Sequence, residues 1–355
     1  MTQTSSPPDL QQLAGDIRRW GSELGFQQLG ISSARLDEHE THLLNWLKAG
    51  HHGEMDYMAR HGTTRSRPAE LVPGTVSVIS VRMDYWPDQA QAADDVLQNP
   101  SLAYLSRYAL GRDYHKVLRK RLQKLAERMS AVIGPFGYRA FTDSAPVLEK
   151  ALAQNAGLGW IGKHTNLINE RAGSWFFLGE LYTDLPLPVD TPATNHCGEC
   201  HACIDACPTG AIVAPYSLDA RLCISYLTIE LRGPIPAHLR PLIGNRIYGC
   251  DDCQLVCPWN RFAQATGEVD FQPRHTLDTS DLIRLFAWTE EEFERYTKGS
   301  AIRRIGYECW LRNIAVALGN ATTSTAVVSA LSDRTSHPSG LVREHVTWAL
   351  QRHVL

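Results

Sequence analysis

The sequence has no run of the ~18 uncharged apolar residues that a membrane-spanning helix requires, and its longest apolar runs, such as Trp175-Phe176-Phe177-Leu178, are strand-sized. The opening residues, Met1-Thr2-Gln3-Thr4-Ser5-Ser6-Pro7-Pro8, carry no basic flank and no apolar core, so no secretory signal is expected and the chain reads as cytoplasmic. Positive charge is not in excess either. Thirty-five Lys and Arg stand against 38 Asp and Glu, for a net charge of -3, which excludes a broadly polycationic surface and leaves room only for local basic faces. What is there is an ordinary globular composition, 43% hydrophobic and 21% charged over 355 residues, enough for one large domain or two to three smaller ones.

Cysteine is the exception. There are nine, and eight fall between Cys197 and Cys257, a clustering that in a reducing compartment argues for metal rather than disulfides. Cys197-x2-Cys200-x2-Cys203-x3-Cys207-Pro208 is the bacterial ferredoxin spacing, in which three thiolates hold one 4Fe-4S cluster and the fourth reaches another. An incomplete second copy follows as Cys250-x2-Cys253-x3-Cys257-Pro258, with Cys223 upstream. If the pattern is crossed, Cys197, Cys200, Cys203 and Cys257 serve one cluster and Cys207, Cys223, Cys250 and Cys253 the other. Structural zinc shares the C-x2-C pairs but leaves the third cysteine at the same interval and the Cys-Pro ending unexplained. Cys309 is left over and reads as a small buried hydrophobe.

Around this unit the chain changes character. Leu13, Ile17, Trp20 and Leu24 recur at helical spacing, as do Leu118, Leu122, Leu125, Met129 and Val132. The segments 27–32, 75–85, 138–142 and 175–183 read as strands, so amphipathic helices pack on a sheet in an α/β domain over residues 1–184. Leu185-Pro186-Leu187-Pro188 and Pro192 form an extended linker into a ferredoxin-like unit, residues 185–262. Helical patterns at 302–318, 325–331 and 341–353 predict a HEAT-like module over 263–355.

Gly157-Leu158-Gly159-Trp160-Ile161-Gly162 matches a dinucleotide fingerprint, with Glu180 near the expected acid position, but a helical pattern precedes it where a strand is required. The glycines are better read as a helix stop, Gly157 at C′, and a loop that lets backbone approach a bulky ligand, with Lys163, His164, Thr165 and Asn166 beside it. A plain turn is the blander reading.

Beyond single motifs, the run Ser106-Arg107-Tyr108-Ala109-Leu110-Gly111-Arg112-Asp113-Tyr114-His115, the segment Asp143-Ser144-Ala145-Pro146-Val147-Leu148-Glu149, the Gly159–Lys163 loop, Arg221–Thr228, and Gly249-Cys250-Asp251-Asp252-Cys253 with Cys257-Pro258-Trp259-Asn260 resemble the epoxyqueuosine reductase family over essentially the whole chain. The resemblance implies a cobalamin-binding N-terminal domain fed by the two clusters, C-terminal helices that help hold tRNA, and reduction of the epoxide of epoxyqueuosine in tRNA to the cyclopentene of queuosine, the last step of its synthesis. Asp143 is by resemblance the acid, and burial against an apolar face would raise its pKa. Its blander role is a helix-start residue ahead of Pro146. Arg65, Lys163, Thr165, Leu167, Ile224 and Asp251 are implied to line the cobalamin pocket, and Lys150 stands where some members carry arginine, so a bidentate contact there is not expected.

Two basic helix faces, His115, Lys116, Arg119, Lys120, Arg121 and Lys124, and Arg303, Arg304 and Arg312, could grip phosphates around an unstacked base. The implied partners are tRNA and an external low-potential electron donor, with no membrane and a monomeric chain. The rivals are another cobalamin and iron-sulfur reductase, such as a reductive dehalogenase, and an electron carrier without catalysis.

Overall fold

A computed structural model describes residues 9–354. The first helix, Leu10–Glu23, begins where the Asp9 carboxylate accepts the main-chain N–H groups of Gln11 and Gln12, and it presents Leu13, Ala14 and Ile17 inward. It leads to the strand Gln28–Ser33, the edge of a four-stranded sheet whose order continues through Ser77–Asp84 and Phe176–Thr183 to Tyr138–Phe141. Every neighbouring pair is antiparallel. The helix-strand alternation expected from the sequence is therefore present without a parallel, doubly wound sheet.

The two central strands are buried along their whole length because helices cover both faces. Ile31, Ile79, Val81, Met83 and Leu181 pack under Leu10–Glu23 and the long helix Tyr114–Ile133, which contributes Leu118, Leu122, Leu125 and Met129. Val132, expected in that stripe, is exposed instead. The opposite face lies under the short helix Glu149–Asn155, through Val78, Phe141, Tyr182, Ala151 and Leu152. A side chain at Gly30 would collide with the carbonyl oxygen of Ala156, so glycine there lets the end of this helix settle against the edge strand. The same face also buries Ser80, Arg82, Asp84 and Glu180, an unusual polar load for a sheet interior.

The glycine-rich run ends this helix, as its composition requires. Gly157 takes φ 75° and its N–H reaches back to Gln154 O, while Leu158 N–H reaches Ala153 O. Gly159 and Gly162 then pack against Ile168, where Trp160–Ile161 pairs with Leu167–Ile168. The close approach expected of a bulky ligand is thus made by the chain itself, and helix-turn-hairpin is not the strand-turn-helix of a dinucleotide site.

The proline-rich linker runs irregularly from the sheet and is pinned by Asp190, which accepts Ile31 N–H at 2.7 Å and pairs with Arg18 at 2.7 Å. The C-terminal helices Leu282–Phe286, Glu290–Tyr296, Gly306–Asn320, Thr325–Ser332 and Gly340–Gln351 surround Gly306–Asn320, which is buried on all sides from Cys309 to Gly319. Their core also takes in Ala103, Leu105, Ala109 and Leu110, and Tyr104–Leu105 pairs in parallel with Arg246–Tyr248. The boundaries expected at 184 and 262 are accordingly bridged by a segment of the first part. Among the described residues no helix is long and apolar enough to cross a membrane.

Candidate active site

The eight clustered cysteines are all free thiols and fall into two groups in space. Cys197, Cys200, Cys203 and Cys257 line one cavity of about 210 Å³, and Cys207, Cys223, Cys250 and Cys253 line another of about 200 Å³. Among the described residues no three His, Cys, Asp or Glu side chains converge on a point that a single ion could occupy. Four thiols spread round a cavity suit a multi-iron cluster better than tetrahedral zinc. Burial raises the Cys253 thiol well above its usual range, and Cys223, Asp251, Cys207 and, across from the other group, Cys203 add to the rise. The two thiol groups are neighbours, arranged in series.

One side of the second cavity carries Thr165, Asn166 and Ile224, and Asn166 also lines a further cavity of about 120 Å³ with Tyr114, Glu149, Lys150, Leu167, Phe176 and Phe177. The two cavities share Asn166 and form a cleft of mixed polar and apolar lining beside the second thiol group, with Tyr114 and Glu149, both in contact with Asp143, at its other end. Asp143 adopts φ 53° and Thr165 φ 66°, left-handed conformations that cost a non-glycine residue on the order of 1 kcal/mol and tend to persist where a site over-determines them.

Asp143 is held by groups expected from the sequence to have other roles or none, His115 and Arg304 having been placed on basic faces. Tyr114 OH donates to its Oδ2 at 2.5 Å, and His115 Nε2 stands 3.2 Å from the same oxygen. His115 Nδ1 lies 2.7 Å from Asp113 Oδ1, and Arg304, from the short helix Ala301–Ile305, binds Asp113 Oδ2 at 2.7 Å. Lying between two carboxylates, the imidazole is drawn towards its charged form, against the Arg304 guanidinium 2.9 Å from its Nδ1. Burial lowers the His115 pKa, but its bonds to Asp113 and Asp143 outweigh that and the net shift is upward. For Asp143, burial pushes upward, and the His115 and Tyr114 hydrogen bonds, with the charges of His115 and Arg304, bring it below the usual carboxylate range. The raised pKa expected for Asp143 is therefore not found; the carboxylate is half exposed to the cleft and well solvated by donors.

The carboxyl whose pKa is raised is instead that of Glu149, beside the Asp143 loop. Glu149 Oε2 accepts the Asp143 main-chain N–H at 3.1 Å, and burial together with the Asp143 charge lifts Glu149 to about 8.

Of the pocket residues implied by resemblance, Arg65 is buried beside this loop. Its Nη1 donates to Ala145 O at 3.4 Å and its Nη2 to Tyr57 O at 3.1 Å, while Nε has no partner. Thr165, Leu167 and Ile224 line the cleft. Two depart from expectation. Lys163 Nζ is committed to Gly198 O and Cys200 O, at 2.7 and 2.9 Å, in the first thiol loop. The Asp251 carboxylate is fully used by Tyr104 OH, Ser106 Oγ and Arg107 N–H, so its side chain braces the fold rather than facing a ligand. Lys150 Nζ donates to Thr165 O at 3.0 Å.

The basic faces also divide. Lys116, Arg119, Lys120 and Lys124 are exposed, and Arg119 reaches Ser144 Oγ, next to Asp143. His115 is buried in the acid cluster, and Arg121 is tied to Leu24 O and Glu268. Arg312 is fully buried and donates to Leu227 O, Leu231 O and Gly233 O, which makes it a strut inside the protein; Arg303 pairs with Glu294.

With this geometry in view, residues 65–144 match the family model described as epoxyqueuosine reductase QueG, DUF1730, and residues 196–260 match the 4Fe-4S double cluster binding domain. An epoxyqueuosine reductase of Pseudomonas aeruginosa is 66% identical over 350 residues, covering 98% of this chain and 96% of its own length. The chain belongs to the epoxyqueuosine reductase family. The Escherichia coli epoxyqueuosine reductase is 59% identical over 99% of this chain and 92% of its own length. A crystal structure of an epoxyqueuosine reductase with an epoxyqueuosine-modified tRNA-Tyr stem loop superposes with a TM-score of 0.88 at 27% identity, over 97% of this chain and 91% of that one. The acid cluster lies partly inside the first matched segment: Asp113, Tyr114, His115 and Asp143 fall within residues 65–144, whereas Glu149, Glu180 and Arg304 lie beyond it.

Proposed function

We propose that the chain is an epoxyqueuosine reductase that converts the epoxide of epoxyqueuosine in tRNA to the alkene of queuosine, using two 4Fe-4S clusters and cobalamin. The observation that carries the reading is identity of 59 to 66% with epoxyqueuosine reductases along essentially the full chain. The site geometry supplies a physical reason for it. Cys197, Cys200, Cys203 and Cys257 would hold the first cluster and Cys207, Cys223, Cys250 and Cys253 the second, in line with the two lined cavities.

Cobalamin fits the cleft on its chemistry: apolar walls at Leu167, Ile224, Phe176 and Phe177, strained backbone at Thr165, and the unpartnered Nε of buried Arg65. Thr165, Leu167, Ile224 and Arg65 would hold it, with Lys163 and Asp251 acting from behind through the loops they brace. When bound, the clusters carry single electrons and cobalamin supplies the strongly reducing metal that an epoxide requires.

The chain's own residues manage protons. Asp143 gives a proton to the departing oxygen; Tyr114 fixes the carboxylate's direction, and His115, clamped by Asp113, shares with it the proton that is first given up. Filling the cleft excludes water from Asp143 and shifts the shared proton from His115 towards the carboxyl, because burial favours its neutral form. In this reading Lys116, Arg119, Lys120 and Lys124 contact tRNA phosphates beside the cleft, the HEAT-like C-terminal helices form the far side of the tRNA seat, and the protein works as a cytoplasmic monomer.

The assay is direct. Anaerobically reconstituted protein given cobalamin, a strong reductant and epoxyqueuosine-containing tRNA should yield queuosine on nucleoside analysis, and its absence would sink the assignment. Binding of the tRNA should weaken with salt, and Lys120→Ala should flatten the log–log salt dependence by about one unit of slope without changing the order of preference among tRNAs. An unchanged slope for this variant and for Lys116→Ala would exclude that face.

A further inference from the structure

Reduction of the epoxide breaks two C–O bonds, takes up two electrons from the external low-potential donor, and needs two protons to release the oxygen as water. Asp143 can carry one. Behind Asp143 lie two more carboxyl groups that the mechanism above leaves unused, that of Glu180 on the sheet and that of Glu149 at the start of the helix covering it.

Glu149 opens the helix Glu149–Asn155, lines the cavity next to Asp143 together with Tyr114, and touches the Asp143 main chain at 3.1 Å. Glu180 lies deeper, in the centre of the sheet opposite Ser80, with 0% exposure and neither carboxylate oxygen hydrogen-bonded. Neither forms an ion pair among the described residues: Lys150 is turned to Thr165 O, Arg65 to Tyr57 O and Ala145 O, and Arg82 faces Asp84. Glu180 is fully buried and Glu149 partly so, and two neighbouring carboxyls with no ion-pair partner resist ionising together. The groups that act on Glu149 are Asp143, Lys150 and His115, with Arg65, Tyr114 and Glu180 close by; those on Glu180 are Glu149, Asp143 and Tyr182. Burial and the Asp143 charge lift Glu149 to about 8, while burial and the Glu149 charge push Glu180 well above the usual carboxylate range.

We propose that Glu149, backed by Glu180, stores the second proton of the reduction and passes it to Asp143 within each turnover. This rests on the function proposed above. Asp143 gives its proton to the oxygen as the first C–O bond breaks. The Glu149 hydroxyl proton then moves to the Asp143 carboxylate, which delivers it as the second bond breaks and water leaves. Glu149 regains a proton from solvent once the cleft empties. Glu149 is thus a positioning residue for the proton, acting through Asp143, and the deeper Glu180, kept neutral by burial and by the Glu149 and Asp143 charges, adds no charge beside it.

The test compares reconstituted wild-type protein with Glu149→Gln, Glu149→Asp and Glu180→Gln. Wild-type turnover should decline as pH rises past about 8. Glu149→Gln should lower kcat by about 10- to 100-fold with KM for tRNA unchanged and should erase that decline, while Glu149→Asp restores both in part. Infrared spectra of the protein without cofactors should show protonated-carboxyl absorption at neutral pH, in which Glu149→Gln removes the component that titrates at about 8 and Glu180→Gln removes a component that persists to higher pH. A wild-type pH profile retained by Glu149→Gln, or no such band, would overturn the proposal. A wild type without activity but with the band would count against the function and leave the proton's location standing.

Discussion

Cys253→Ala is expected to halve the iron content and abolish turnover while leaving the fold in place. Each group of four thiols surrounds its own cavity, so loss of one ligand empties one cavity and spares the other. Cys253 belongs to the group that lies next to the cleft, and removing it cuts the path between the outer cluster and the reaction centre. Cys207→Ala and Cys223→Ala should match it in iron content and in the electron paramagnetic spectrum of the reduced protein. Cys257→Ala should instead match Cys203→Ala, although Cys257 is close to Cys253 in sequence. Equal phenotypes for Cys253 and Cys257, distinct from Cys203, would mean that ligands are contributed by contiguous blocks and that the crossed assignment is wrong.

Asp143→Ala should reduce kcat by ~10²- to 10⁴-fold, the span typical of a lost general acid, and leave tRNA affinity nearly unchanged because affinity is set by phosphate contacts. Single-turnover rates separate this from slow product release. Since His115 and Tyr114 hold the carboxylate below its usual pKa, folding of the empty protein favours the ionised form. That contribution to stability is present above the unfolded pKa of an aspartate and is lost as pH falls through the lower folded value. Asp143→Asn should therefore flatten the acid side of the unfolding curve as well as remove activity. Retention of wild-type turnover in either variant would remove Asp143 from the chemistry.

Much of the frame was legible from pattern. Apolar periodicity located the helices Leu10–Glu23 and Tyr114–Ile133, and β-branched and aromatic runs located all four strands of the sheet, because each element buries a face whose period is visible in one dimension. The antiparallel order was not legible, since strand pairing depends on long-range contacts. The thiol groups could be counted out from spacing alone. The acid cluster could not: Asp113, His115, Asp143 and Arg304 come from two helix starts and a strained loop far apart in sequence, and a histidine in a basic run looks solvated until its partners are known. Arg312 misled for the same reason, because a buried arginine satisfied by main-chain carbonyls has no signature that separates it from a surface one. Glu149 and Glu180 appeared as ordinary helix and strand residues, and only the missing counter-ions mark them.

The pairing of Tyr104–Leu105 with Arg246–Tyr248 imposes an order on biosynthesis. As the chain leaves the ribosome, the segment 103–110 has no partner until residues 246–248 and the helices from Leu282 onward have emerged, and the first thiol trio is incomplete until Cys257 follows. Neither thiol set can be complete before the chain has passed Cys253 and Cys257. Ligation of either cluster therefore requires that two stretches far apart in the chain, before and after residue 245, be brought together by the fold.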